Sequence, residues 1–211
     1  MLAHKEIELK FPLTENEYHS LIEKLSGSYE RTDLNQNDFV IKTKSGENVR
    51  VRREEGRSLL THKKKIYAPD GAFLYCRESE SLIDAAHEKS VADIIAELGI
   101  VDMPLDICAN VDVFQKWLEN ALATQKAYSV HLHKNRTEFK EGDYTYVLDH
   151  VENLGYFLEI EYLVPLNDLT EETKLRSQMR QKLPELGISD RENIIHGYTV
   201  LMHEKEQNAV K

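Results

Sequence analysis

The chain has 211 residues, 41% hydrophobic and 30% charged, an ordinary composition for a globular protein that excludes collagen-like, low-complexity and wholly disordered classes. Its 27 basic and 37 acidic residues leave a net charge of −10, which argues against nucleic acid or an anionic membrane as a partner held by bulk electrostatics. The two cysteines, Cys76 and Cys108, form no CxxC pair and fit a reducing cytoplasm rather than a disulfide framework. No apolar run has the length of a signal peptide core or a membrane span, so the expectation is a cytoplasmic protein whose 211 residues form a single domain.

Residues 4–12, HKEIELKFP, alternate charged and apolar with period two, the pattern of a strand with Glu6, Glu8 and Lys10 on one face. Thr14 to Glu17 read as a capping box, and Tyr18, Leu21, Ile22 and Leu25 recur at helical spacing before Gly27. From 28 to 80, alternating β-branched and aromatic residues, with turn signals at Lys44-Ser45-Gly46, Glu55-Gly56 and Pro69-Asp70-Gly71, predict four antiparallel strands. Residues 82–126 carry two helical stretches, around Val91, Ile94, Ile95 and Leu98 and around Val113, Phe114, Trp117, Leu118 and Leu122, with MPLDICAN as a loop between them. Alternation resumes over 128–164 as three strands, turning at Glu141-Gly142-Asp143 and Asn153-Leu154-Gly155. Two helices are expected at about 170–183 and 190–203, separated by Pro184 and Gly187. Eight strands with helices between them predict an α+β fold with a closed or nearly closed antiparallel β-barrel and helices packed outside.

Charged residues recur two apart on strand after strand: Glu6/Glu8, Arg50/Arg52, Lys63/Lys65, Glu78/Glu80, Lys134/Arg136 and Glu159/Glu161, with Lys10 and Asp149 in addition. Side chains alternate across a strand, so each pair points to one side. A single pair of this kind is an ordinary solvated sheet face with cross-strand ion pairs. The set as a whole is different, because Ile7/Leu9, Val49/Val51 and Leu158/Ile160 can cover a core under helices and leave the charges facing a lumen. Like charges about 7 Å apart repel by on the order of 2 kcal/mol at an effective dielectric near 20, a cost that a ligand can relieve. Clustered Lys and Arg suit phosphate oxygens, and clustered carboxylates suit a hard divalent cation. Together they point to metal-assisted phosphoryl or nucleotidyl transfer on a triphosphate.

These residues also resemble a known family. Glu6-Ile7-Glu8-Leu9-Lys10 is similar to the ExExK signature of the CYTH superfamily, the triphosphate tunnel metalloenzymes, which includes class IV adenylyl cyclases, thiamine triphosphatases and inorganic triphosphatases. The likeness continues in order through Gln36-Asn37-Asp38-Phe39, Val49-Arg50-Val51-Arg52, Leu60-Thr61-His62-Lys63, Glu78/Glu80, Lys134-Asn135-Arg136 and Leu148-Asp149, and ends with Leu154-Gly155-Tyr156-Phe157-Leu158-Glu159-Ile160-Glu161. The short ExExK is weak alone; the ordered series is specific.

The resemblance implies an eight-stranded antiparallel tunnel. In it Glu6, Glu8 and Glu161 would hold Mg²⁺ or Mn²⁺, with Glu159 close by, and Lys10, Arg50, Arg52, Lys63, Lys134 and Arg136 would grip the triphosphate; Lys65 matches less closely. Glu78 and Glu80 are candidates for positioning metal or water, Asp149 for holding a basic neighbour or a second metal, and Arg191 for reaching the site. The implied activity is hydrolysis of inorganic tripolyphosphate, thiamine triphosphate or a nucleoside triphosphate. The alternatives are cyclisation of ATP by a class IV adenylyl cyclase, and a non-catalytic polyphosphate-binding module. A homodimer is implied by the family alone.

The chain also departs from the family pattern. After Leu98-Gly99-Ile100 a second amphipathic stretch with Trp117 makes roughly 101–126 an insertion, open to reading as extra packing, a dimer contact or a lid. Tyr198 and Leu201 resemble the family's closing "SYxxLL" element, although His196-Gly197 precede them. His131 and His133 share a face with Asn135 and are expected to point away from Lys134 and Arg136.

Overall fold

The computed structural model describes residues 4–67, 73–165 and 172–209; the side chains of 4–6, 67, 73–75 and 165 lie outside the description, as does the turn expected at Pro69-Asp70-Gly71. In chain order the described elements are β1 (His4–Leu13), α1 (Glu15–Ser26), β2 (Glu30–Thr43), β3 (Asn48–Glu54), β4 (Arg57–Tyr67), β5 (Phe73–Leu82), α2 (Glu88–Glu97), α3 (Val111–Ala121), β6 (Lys126–Glu141), β7 (Tyr144–Val151), β8 (Gly155–Pro165), α4 (Glu172–Leu186) and α5 (Tyr198–Ala209). The eight antiparallel strands and the α+β class are as expected. The chain divides into two compact units, the first made of 1–35 and 134–201, the second of 36–133 and 202–211.

The first unit holds β1, β8, β7 and the second half of β6 in that order. Ile7, Leu9 and Phe11 of β1, Leu158 and Ile160 of β8, and Tyr146 and Leu148 of β7 are buried together on one face against Tyr18, Leu21 and Leu25 of α1 and Leu175, Met179 and Leu183 of α4. Helix α1 starts at Thr14, whose hydroxyl accepts the Glu17 N–H while the Glu17 carboxylate accepts the Thr14 N–H at 2.8 Å, the reciprocal capping box read in the sequence.

The second unit holds the end of β2, then β3, β4 and β5 in order. Phe39, Ile41, Val49, Val51 and Leu60 form its core with Val91, Ile94 and Ile95 of α2 and Phe114 and Leu118 of α3. The extra segment is thus part of this core through Ile107, Cys108, Phe114, Leu118 and Leu122, with a short 3₁₀ turn at Ile107–Ala109 inside the expected loop. At the end of α2, Gly99 adopts φ +77°, and the Ile100 and Gly99 N–H groups bond to the carbonyls of Ile95 and Ala96, a left-handed cap that glycine takes without strain.

The last two helices differ from expectation. Pro184 lies inside α4 in its final turn, and the stop is made by Gly187 at φ +82°, with Ile188 N–H donating to Leu183 O at 2.9 Å and Gly187 N–H to Pro184 O at 3.0 Å. Residues 188–197 then run without helix and α5 begins only at Tyr198. The reason is competition for main-chain groups: Ile194 N–H donates to Lys10 O at 2.8 Å, so this stretch is tied to β1 instead of coiling. Among the described residues no helix is long and apolar enough to cross a membrane.

Candidate active site

In each unit the face opposite the helices is the charged one. On the first unit, β1 and β8 pair with Glu8 opposite Glu161 and Lys10 opposite Glu159. The Lys10 ammonium lies 2.8 Å from Glu8 and 3.0 Å from Glu159. The second oxygen of Glu159 is 2.7 Å from Arg136 of β6, whose guanidinium also grips Asp149 of β7 through two parallel bonds of 2.9 and 2.6 Å. An alternating chain Glu8, Lys10, Glu159, Arg136, Asp149 thereby crosses all four strands. Such fork-to-carboxylate pairs are the stronger class of charged hydrogen bond.

Burial makes this chain electrostatically tense. Lys10, Asp149 and Glu159 are 6%, 0% and 4% exposed, which penalises every charge, yet all remain ionised because each is flanked by opposite charge. Burial opposes the Lys10 charge, but Glu159 and Glu8 outweigh it and raise the ammonium's pKa above its ordinary value. Burial likewise pushes Asp149 and Glu159 up, while Lys134 and Arg136 draw Asp149 down to about 2 and Arg136 and Lys10 draw Glu159 down. Tyr198, at the start of α5, places its ring 4.4 Å from the Lys10 ammonium and 5.5 Å from that of Lys134, a cation–π seat for two cations. Burial and then Asp149 and Glu159 hold its phenol protonated.

On the second unit, Arg52 of β3 stands opposite Asp38 of β2 and binds it bidentately at 2.7 and 2.8 Å. Arg50, one step along the same face, donates to Thr61 Oγ1 at 3.0 Å and lies 3.4 Å from Glu80 and 3.8 Å from Glu78. Its Nε is enclosed without a partner, and burial and then Arg52 lower its pKa. Lys63 pairs with Glu78 at 2.7 Å in a half-exposed setting, where an ion pair is worth only about 0.2–1 kcal/mol. Lys65, opposite Cys76, is exposed.

A family comparison places this arrangement. The CYTH domain description matches residues 4–198. The chain belongs to the CYTH family. Solved structures agree on the fold. A protein from Pyrococcus horikoshii has 20% identity over 92% of this chain and 96% of its own, with a TM-score of 0.60. A candidate adenylate cyclase from Vibrio parahaemolyticus has 16% identity over 92% and 95%, TM-score 0.56. A candidate adenylyl cyclase from Hippeastrum with a dominant triphosphatase activity has 17% identity over 97% and 96%, TM-score 0.54. No protein of curated function matches the sequence.

The site residues expected from the sequence are distributed between the units. Glu8, Lys10, Lys134, Arg136, Asp149, Glu159 and Glu161 lie on the charged face of the first, and Arg50, Arg52, Lys63, Lys65, Glu78 and Glu80 on that of the second. Glu6 is on β1 opposite Leu163, and its side chain lies outside the described ones. Arg191 does not join the cluster: its guanidinium is 2.6 and 3.0 Å from the Glu17 carboxylate and donates to Pro12 O. His131 is exposed against the Phe39 ring, away from buried Lys134. Cys108 is buried, its thiol pushed up to about 11 by burial and then Glu88 and Asp84.

Lys42, Glu54 and Asn193 were not found from the sequence, and Tyr198 was noted there only for its likeness to a closing family element. Lys42 shares the face of Asp38 on β2 and could have been found by extending that parity; burial and then Lys65 lower its pKa. Glu54 continues the face of Arg50 and Arg52, held by Gln36 at 2.7 Å. Tyr198 and Asn193 come from beyond the last strand, and no periodicity pointed to them.

A divalent cation fits the donor chemistry of the first unit. Glu8 and Glu161 are hard oxygen donors, partly exposed and directly opposed in the ladder, a placement that is unfavourable for like charges and that a cation relieves. The described face carries the carboxylates Glu8, Glu138, Asp149, Glu159 and Glu161 beside the cations Lys10, Lys134, Arg136 and Lys140. Asp149 and Glu159 commit both oxygens to cations, which makes them anchors of Lys10 and Arg136 rather than open ligands. Among the described residues no three His, Cys, Asp or Glu groups already converge as a metal cage.

Proposed function

We propose that the protein is a metal-dependent triphosphatase, cleaving inorganic tripolyphosphate, thiamine triphosphate or a nucleoside triphosphate. The observation that carries this reading is the opposed Glu8/Glu161 pair beside the enclosed Lys10–Glu159–Arg136–Asp149 chain, in a chain of the CYTH family. Glu6, Glu8 and Glu161 would hold Mg²⁺ or Mn²⁺, with Glu78 and Glu80 as further carboxylates near the basic residues. When bound, the metal supplies Lewis-acid neutralisation of phosphate charge.

The chain's own groups do the rest. Lys10, Lys134 and Arg136 on the first unit, and Arg50, Arg52, Lys63 and Lys65 on the second, bind phosphate oxygens and stabilise the charge that develops on them in the transition state. Arg136 and Arg52 are already oriented by Asp149 and Asp38, so their forks are preorganised and lose little freedom on binding. Glu159 is ionised and engaged by two cations, so it keeps Lys10 and Arg136 in place and takes no proton.

The test is ³¹P NMR of products from tripolyphosphate, thiamine triphosphate and ATP incubated in parallel with Mg²⁺ or Mn²⁺, and with EDTA as control. Orthophosphate formed only with metal is the expected result. Cyclic AMP and pyrophosphate from ATP would assign a class IV adenylyl cyclase instead, and tight binding without turnover a polyphosphate-binding module.

A further inference from the structure

In an antiparallel ladder, alternate residues of an outermost strand turn their N–H and C=O groups away from the neighbour. In the first unit β1 is outermost beside β8, and its outward groups are met by the segment after β8. Arg176 of α4 donates to Glu8 O at 3.0 Å. Asn193 Oδ1 accepts the Lys10 N–H at 2.8 Å, and Ile194 N–H donates to Lys10 O at 2.8 Å. Arg191 donates to Pro12 O at 2.8 Å while gripping Glu17. Pro12, which has no N–H to offer, falls where a strand edge tolerates proline. Five residues beyond Asn193 the same segment delivers the Tyr198 ring to the Lys10 ammonium.

Both ends of Lys10 are therefore held by one stretch of chain, its main chain by Asn193 and Ile194 and its ammonium by Tyr198. A lysine side chain has four rotatable bonds and no preferred fork geometry, so the two carboxylates that flank it do not by themselves fix where its charge sits. We propose that the segment Arg191–Tyr198 sets the position of Lys10, with Asn193 and Tyr198 as positioning residues. This rests on the reading of Lys10 as a phosphate ligand.

The test uses the full chain with Asn193→Ala, Asn193→Asp, Tyr198→Leu and Tyr198→Phe. Asp keeps an acceptor for the Lys10 N–H and Phe keeps the ring, so these two are the rescue variants. Amide hydrogen exchange at Lys10 and the NMR resonance of its ammonium report position directly, without substrate. Asn193→Ala is expected to speed exchange of the Lys10 amide at least about tenfold, with Asn193→Asp near the parent. Tyr198→Leu is expected to shift or broaden the ammonium resonance, with Tyr198→Phe retaining it. With tripolyphosphate and Mg²⁺, Asn193→Ala is expected to lose about tenfold in kcat/KM while its folded fraction stays that of the parent.

An unchanged Lys10 amide in Asn193→Ala would overturn the proposal, as would an aspartate variant as impaired as the alanine one. If Tyr198→Leu does not fold, the Asn193 pair decides the matter. If the two NMR readouts respond as expected while even the parent cleaves no triphosphate, the positioning stands and the triphosphatase reading falls.

Discussion

Lys10 and Glu159 face each other across the β1–β8 ladder, Nζ 3.0 Å from Oε1, both almost wholly enclosed. Removing one charge from such a pair strands the other in a low-dielectric setting, at a cost of about 3 kcal/mol. Lys10→Met keeps the volume of the stem and removes the ammonium. It is expected to lower unfolding free energy by about that amount and triphosphate turnover by roughly a hundredfold. Urea titration and a phosphate-release assay at a temperature where the variant is folded separate the two effects.

The acid side of the stability profile belongs to Asp149 and Glu159. Both are more acidic in the folded protein than in the unfolded chain, Asp149 at about 2. A depressed carboxylate contributes stability that is complete above its unfolded pKa, about 3.9 for aspartate, and is lost as pH falls through the folded value. The urea midpoint of the parent is therefore expected to be flat from pH 7 to 5 and to fall between about pH 4 and 2. Asp149→Asn is expected to start lower and to show a shallower acid limb. A parallel fall in both proteins would remove Asp149 from the account.

On the second unit the two arginines of β3 differ in what they leave behind. Arg52→Ala removes the bidentate partner of the enclosed Asp38, so a loss of about 3 kcal/mol is expected together with weaker tripolyphosphate binding. Arg50 sits among partly exposed carboxylates, and Arg50→Ala is expected to weaken binding about tenfold with a smaller effect on stability. Calorimetric titration with tripolyphosphate beside thermal unfolding ranks the two; equal stability losses would contradict the distinction.

Glu17 closes the capping box with Thr14 and carries the Arg191 guanidinium. Loss of the Thr14 cap by Thr14→Ala is expected to cost about 1 kcal/mol. Glu17→Gln and Arg191→Gln act on one shared contact, so their effects are expected to be less than additive in a double-mutant cycle followed by urea unfolding. Additive losses would mean that the Arg191 contact contributes nothing.

Much of this was legible because strand parity is a strict two-residue period. Ile7, Leu9, Val49, Val51, Leu158 and Ile160 lie in the cores under the helices, so the charged pairs between them had to face the other way. Thr14-to-Glu17 and Gly187 were readable as local signals, since caps are set by residues a few positions apart. What failed was non-local. The helix expected from 190 begins only at Tyr198 because the Ile194 N–H donates to the Lys10 carbonyl and the Asn193 side chain accepts the Lys10 N–H, and nothing in the local sequence announces a competitor so distant in the chain. Arg191 was misplaced for the same reason, its partner Glu17 being far away in sequence, and Tyr198 resembled a family motif without revealing that its ring seats two lysines.

The pairing of β1 with β8, completed by Asn193 and Ile194, has a consequence for how the molecule is made. Residues 36–122 contain the end of β2, β3–β5, α2 and α3 and the core these share, contacts that are all available before the last third of the chain is made. Those of His4–Leu13 are not, because its ladder partner, Tyr156–Pro165, emerges after most other elements, and contacts so remote in sequence form slowly. During that wait β1 is a bare strand with a hydrophobic side. The charges at Glu6, Glu8 and Lys10 alternate there with Ile7, Leu9 and Phe11, the arrangement by which gatekeeper residues oppose aggregation of a waiting strand.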